Sequence, residues 1–143
     1  MGDFMLAVNY GNLLANAYPE IPKIFNLETA AYLYGSTSAN VSIMTFYMPD
    51  GINFIQSGYL LGLKVKNFGG IPTEELRGYR VTSPIRTLQD LFFYEDLVDP
   101  QVTFDYVSWF NASRKLDPRD YLDARHHEEL LGVLREGWSH GHR

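Results

Sequence analysis

The chain has 143 residues, no cysteine and a formal net charge of −5. These features exclude disulfides, thiolate metal sites and a cysteine nucleophile, fit a reducing compartment, and set the molecule as a whole against polyanions unless a local basic patch exists. The length suits a single domain, residues 1–143, with a core of its own. No membrane-length apolar run and no basic N-terminal region followed by an apolar stretch is present, so the expectation is a cytoplasmic protein with no membrane partner.

Taken in order, residues 3–18 carry Phe4, Leu6, Val8, Leu13 and Leu14 at irregular helical spacing, with Gly11 weakening the interior. Pro19 and Pro22 mark a connection. Asn26 is a suitable N-cap for a short helix through Leu27, Ala30, Ala31, Leu33 and Tyr34, ended by Gly35, and the alanine pair allows close approach to a neighbour. Val41 to Met48 is β-branched and aromatic with nearly continuous apolar character, which predicts a central strand buried on both faces. Residues 60–68 alternate around Leu63 and Val65 and read as a strand with one wet face. Lys64 and Lys66 there guard an edge rather than bind phosphate.

Gly69 to Pro72 is a turn, and Thr73 to Gly78 leads into a strand ending near Val81. Ser83 then caps a helix whose first residue, Pro84, has no N–H to lose, and Ile85, Leu88, Leu91 and Phe92 form its apolar face. Asp99-Pro100 and Asp117-Pro118 repeat the cap-then-proline device. Val102, Tyr106, Val107 and Phe110 line one side of the first resulting helix. The last helix is expected through Tyr121, Leu122, His126, Glu129, Leu130, Val133 and Leu134, fraying after Gly137. The fold class is therefore α/β (α+β): a small mixed β-sheet flanked by helices, a helical extension over 100–137 in the C-terminal third, and a flexible tail at 138–143.

Two stretches, Leu27-Glu28-Thr29-Ala30-Ala31-Tyr32-Leu33-Tyr34-Gly35 and Val81-Thr82-Ser83-Pro84-Ile85-Arg86-Thr87-Leu88-Gln89-Asp90-Leu91, flank the predicted strand. In this order they resemble the effector domain of AbiEi-type antitoxins, over roughly residues 26–110; the second is the more specific, because cap, proline, arginine and aspartate must coincide. The resemblance implies an antitoxin of a type IV toxin–antitoxin or abortive-infection system. Such a protein counteracts a nucleotidyltransferase-like toxin without necessarily forming a stable complex with it. The winged helix-turn-helix common in that family has no room before Leu27, which leaves DNA binding in doubt here.

For the chemistry, the expected strand 41–48 holds no acid, so the paired carboxylates of an active nucleotidyltransferase are missing. His126 and Glu129 make at best a partial metal site, no serine sits in a nucleophile elbow, and neither a metal nor another cofactor is expected. The polar group on which function is placed is Thr82, Ser83, Arg86, Thr87 and Asp90. Arg86 precedes Asp90 by four residues, the less favourable order against the helix dipole, so the pair serves either as a structural tie or as a functional surface. The leading expectation is a non-enzymatic antitoxin-like protein. The alternatives are a phage or mobile-element protein that binds a host defence component, and a nucleotide-directed enzyme that uses the Arg86/Asp90 cluster.

Overall fold

A computed structural model of the protein describes residues 21–38, 43–52 and 60–141, with side chains as far as Arg135. The helix expected over 3–18 and the start of the strand expected from Val41 lie outside the described residues. Five strands, β1 (Ile24–Phe25), β2 (Met44–Pro49), β3 (Leu60–Val65), β4 (Thr73–Leu76) and β5 (Tyr79–Thr82), form one mixed sheet in the order β3-β2-β1-β5-β4. Among the described residues four helices accompany it: α1 (Leu27–Leu33), α2 (Pro84–Phe93), α3 (Pro100–Arg114) and α4 (Ala124–Gly141), the last two making the C-terminal third helical. Among the described residues, no helix is long and apolar enough to cross a membrane.

Register decides the two faces of the sheet. Ile24, Tyr47 and Leu63 are lateral neighbours, as are Phe25, Phe46 and Gly62, and Val81 continues the second row. Successive side chains alternate across a strand, so the first row faces one side and the second row the other. On the second side Phe25, Phe46, Met48 and Val81 are buried with Ala30 and Leu33 of α1. Ala31 turns instead into the helical cluster with Leu88, Leu91, Val102, Tyr106 and Phe110. The alanine pair thus lets α1 touch the sheet and the helices at once. Gly62 is required by a similar close approach, since a Cβ there would lie 2.9 Å from Met48 Sδ and 3.0 Å from Phe46 Cε2.

The inner strand β2 is buried from Met44 to Met48, and β3 is an edge with Lys64 exposed, both as the apolar patterns predict. Two strands are not evident from those patterns. β1 is only two residues long, and β4 carries Glu74 and Glu75 on the opposite edge. β4 and β5 form a hairpin through Arg77 (φ 52°) and Gly78 (φ 84°), the pair of positive φ angles that a tight type I′ connection needs.

Asn26 occupies the N-cap position of α1 but does not cap it. Its backbone N–H still donates to Thr45 O in the sheet, at 3.2 Å, and its fully buried side chain makes no hydrogen bond among the described residues. Asp117-Pro118 opens a 3₁₀ turn, Pro118–Tyr121, rather than the last helix. That helix begins at Ala124, where Asp123 Oδ1 accepts from His126 N at 2.9 Å, and it continues beyond Gly137 to Gly141.

The Ser83 and Asp99 caps do form, accepting from Arg86 N at 3.2 Å and Gln101 N at 2.9 Å. Ser83→Ala should cost about 1 kcal/mol, the typical loss for removing such a cap. Urea denaturation read by circular dichroism checks this, and an unchanged midpoint would show that the cap adds nothing.

Candidate functional site

Strand β5 runs into α2 with no intervening loop, and that junction fixes the five residues singled out from the sequence. Thr82 and Thr87 are fully buried and face each other, Oγ1 to Oγ1 at 2.6 Å, with Thr87 also donating to the Thr82 carbonyl at 3.1 Å. Ser83 is spent on its cap. These three residues therefore hold the strand–helix corner. The other two stand one and two turns into α2, on a different side.

Arg86 Nε donates to Asp90 Oδ1 at 2.9 Å, which makes an i, i+4 ion pair. The two partners are unequally placed: the Arg86 side chain is 31% exposed, whereas that of Asp90 is 6% exposed. From the sheet, the Tyr47 ring lies 5.4 Å from the guanidinium carbon. This cation–π contact is the outside support that a cation near a helix N-terminus calls for. Tyr47 is a register neighbour of Ile24 and Leu63, so β2 delivers it to the side where α2 lies.

The electrostatics follow from burial. Desolvation pushes the Asp90 carboxyl above its ordinary value of 3.8, while the charge and hydrogen bond of Arg86 pull against the shift. Desolvation also raises the Tyr47 phenol, reinforced by the Asp90 charge. For Arg86, burial works against the cation, but Tyr47 and Asp90 more than offset it and hold the guanidinium above its usual value. The Tyr47 hydroxyl lies beside both partners, close enough to interact with the guanidinium and with the carboxylate, so the three side chains form one largely buried polar group.

Arg86, Asp90 and Tyr47 line a cleft of about 530 Å³, closed on its other sides by Phe93, Tyr94, Tyr121 and His126. Its walls come from β2, α2, the Pro118–Tyr121 turn and the start of α4. Gln89 ties two of them together by donating to the Tyr121 carbonyl at 3.0 Å. His126 sits at the rim with Nδ1 3.2 Å from Asp123 Oδ1 and Nε2 4.0 Å from Glu129 Oε2. His126 and Glu129 do meet, as their spacing implies, but no group of three or more His, Cys, Asp or Glu among the described residues is placed to hold a metal.

Sequence reasoning picked out Arg86 and Asp90 but not the aromatic wall around them. Tyr47, thirty-nine residues before Arg86 in the chain, reads from its pattern only as a buried strand residue; the strand–helix order that brings it to α2 is the signal that could have found it. A scan against protein-family models returns no match to the chain, and a search of curated proteins returns none.

The raised Asp90 carboxyl sets a sign for pH dependence. A folded-state value above the unfolded one gives a contribution to stability that is fully present below the unfolded value and is lost as pH rises through the folded one. Carbon-detected NMR should therefore show Asp90 titrating above 3.8, and wild-type stability relative to Asp90→Asn should fall as pH rises through that range. A midpoint below 3.8 would mean that Arg86 outweighs burial.

Proposed function

We propose that the chain is a non-enzymatic, antitoxin-like protein of a type IV toxin–antitoxin or abortive-infection system. It acts in the cytoplasm against a nucleotidyltransferase-like toxin, through the surface around Arg86 and Asp90. The reading is supported first by the ordered pair of sequence stretches that resemble AbiEi-type antitoxins, set here on an α+β frame with the second stretch at the β5–α2 corner. The observation that carries it is the placement of Arg86. The arginine of the more specific stretch is held by Asp90 and Tyr47 on the wall of an open aromatic cleft, with a third of its side chain exposed.

An arginine that served only to tie α2 to the sheet would gain nothing from that exposure, because a partly solvated ion pair contributes little to stability. Arginine and aromatic residues are the side chains that most often dominate binding surfaces, and Phe93 at the same cleft is 70% exposed. A phosphate-holding enzyme finds less support. Among the described residues the one cation from Lys or Arg lining the cleft is already matched by Asp90, and Asp123 adds a further carboxylate.

Co-expression with a nucleotidyltransferase-like toxin of an abortive-infection system tests the reading. Wild type should restore growth, whereas Arg86→Gln and Phe93→Ala should each lower rescue roughly tenfold, the effect of losing about 1.4 kcal/mol of binding. Both variants should keep the wild-type circular dichroism spectrum. Failure of wild type to rescue, or full rescue by both folded variants, would overturn the proposal.

A further inference from the structure

We infer that the exposed side of α4 is a self-association face, on which a second copy of this chain docks with its own α4 antiparallel to the first. This inference goes beyond the antitoxin reading and does not rest on it, since no residue lining this face also lines the Arg86 cleft. The helix carries more apolar surface than the fold covers. Leu130 is buried and Val133 packs against the same core, whereas Leu131 and Leu134, on the adjoining side, remain 49% and 37% exposed.

The two leucines border a groove of about 440 Å³ between α3 and α4, which Val107 and Leu130 line with apolar surface and Asn111 and Arg119 with polar groups. Apolar surface that a fold leaves open in this way marks an interaction site. Helices pack by setting the side chains of one into the grooves of the other. A helix with two exposed leucines at this spacing fits the groove, and α4 is itself such a helix.

Charge names the occupant. Glu128 and Arg135 lie about two turns apart on α4, so both stand on the side of the helix that carries Leu131 and Leu134. Both are exposed, and among the described residues neither is joined in an ion pair, although Arg125 on the same helix is shared by Glu95 and Glu129. The face is thus acidic at one end and basic at the other. A second copy turned end for end about a two-fold axis sets each Glu128 opposite the partner's Arg135 and Leu131 opposite the partner's Leu134, and every contact occurs twice. A parallel copy would oppose like charges and like dipole ends. An 18-residue helix is about 27 Å long, which makes the interface small and the dimer weak.

Sedimentation velocity of the full chain over a concentration series tests the face. Wild type should become measurably dimeric as its concentration approaches about 1 mM, the dissociation constant of a weak complex. Leu131→Asp puts a carboxylate on both halves of the interface and should weaken the dimer roughly tenfold or more, while the exposed position keeps the wild-type thermal melt. Glu128→Arg and Arg135→Glu each turn two attractive pairs into two repulsive ones and should each weaken self-association roughly tenfold. Mixed in equal amounts, these two variants should associate at least as tightly as wild type, because every opposed pair is again unlike. That restoration decides the matter even if Leu131→Asp fails to fold. Wild type that stays monomeric throughout, which would leave the face to a different protein, overturns the inference. So does a dimer indifferent to a folded Leu131→Asp, or a mixture no tighter than its components. Toxin rescue does not enter this readout, so its failure leaves the face standing, and a monomeric chain leaves the antitoxin reading standing.

Discussion

The corner between β5 and α2 is the constraint on which the helical half of the molecule depends. Four elements meet on two carbonyl groups, those of the residues on either side of Ser83. The Tyr34 hydroxyl, from the end of α1, donates to the Thr82 carbonyl at 2.8 Å, and the Tyr106 hydroxyl, from α3, donates to the Pro84 carbonyl at 2.7 Å. The Thr82–Thr87 pair and the Ser83 cap complete the corner, and Ser83 N donates to Pro72 O at 2.9 Å. Pro84 removes one N–H that would otherwise need a partner, and the remaining polar groups here satisfy one another, so a junction with no loop can be buried without a large desolvation cost. Because the corner fixes where α2 starts, it also fixes where Arg86 and Asp90 stand relative to Tyr47.

A contrasting corner lies between β1 and α1. There the chain turns through Leu27 at φ 47°, a backbone region uncommon for a residue with a side chain, and Asn26 keeps both side-chain polar atoms unbonded among the described residues. An orphan of this kind costs on the order of 1–3 kcal/mol. Its backbone is nonetheless fully used: Asn26 O accepts from Ala30 N at 3.0 Å and from Thr45 Oγ1 at 2.7 Å, and Thr29 Oγ1 accepts from Thr45 N at 2.7 Å. Two threonines thus stitch α1 onto β2, work that the asparagine side chain would share if it capped the helix.

These two corners explain what was legible in the sequence. Cap-then-proline signals act over three or four residues and carry their own geometry, so the starts of α2 and α3 follow from Ser83-Pro84 and Asp99-Pro100 directly. The third such signal, Asp117-Pro118, gives only a 3₁₀ turn. The chain then spends Asp123 on a second cap before α4 can run. β1 escapes notice because its membership of the sheet is decided by distant partners, Phe46 and Val81 for Phe25, and β4 because Glu74 and Glu75 break its apolar pattern although its partner β5 is next in the chain. The same limit applies to the cleft. Arg86 and Asp90 share a helix and announce their pairing by spacing, whereas Tyr47 and Tyr121 reach them only through the folded topology.

The order of the ion pair is the last feature that the local rules leave open. Placing the arginine nearer the N-terminus of α2 sets each charge against the helix dipole, and reversing the two residues would recover that interaction, worth a few tenths of a kcal/mol to about 1 kcal/mol for each charge. Reversal would also put the carboxylate beside the Tyr47 ring, whose face repels negative charge, and would move the guanidinium a turn deeper into the buried position that Asp90 now fills. A buried arginine would need more partners than the single carboxylate it has, because its donors outnumber the acceptors there. The observed order instead buries the smaller group and leaves the larger one at the cleft. The helix gives up a little dipole energy so that its cation faces open space with donors to spare.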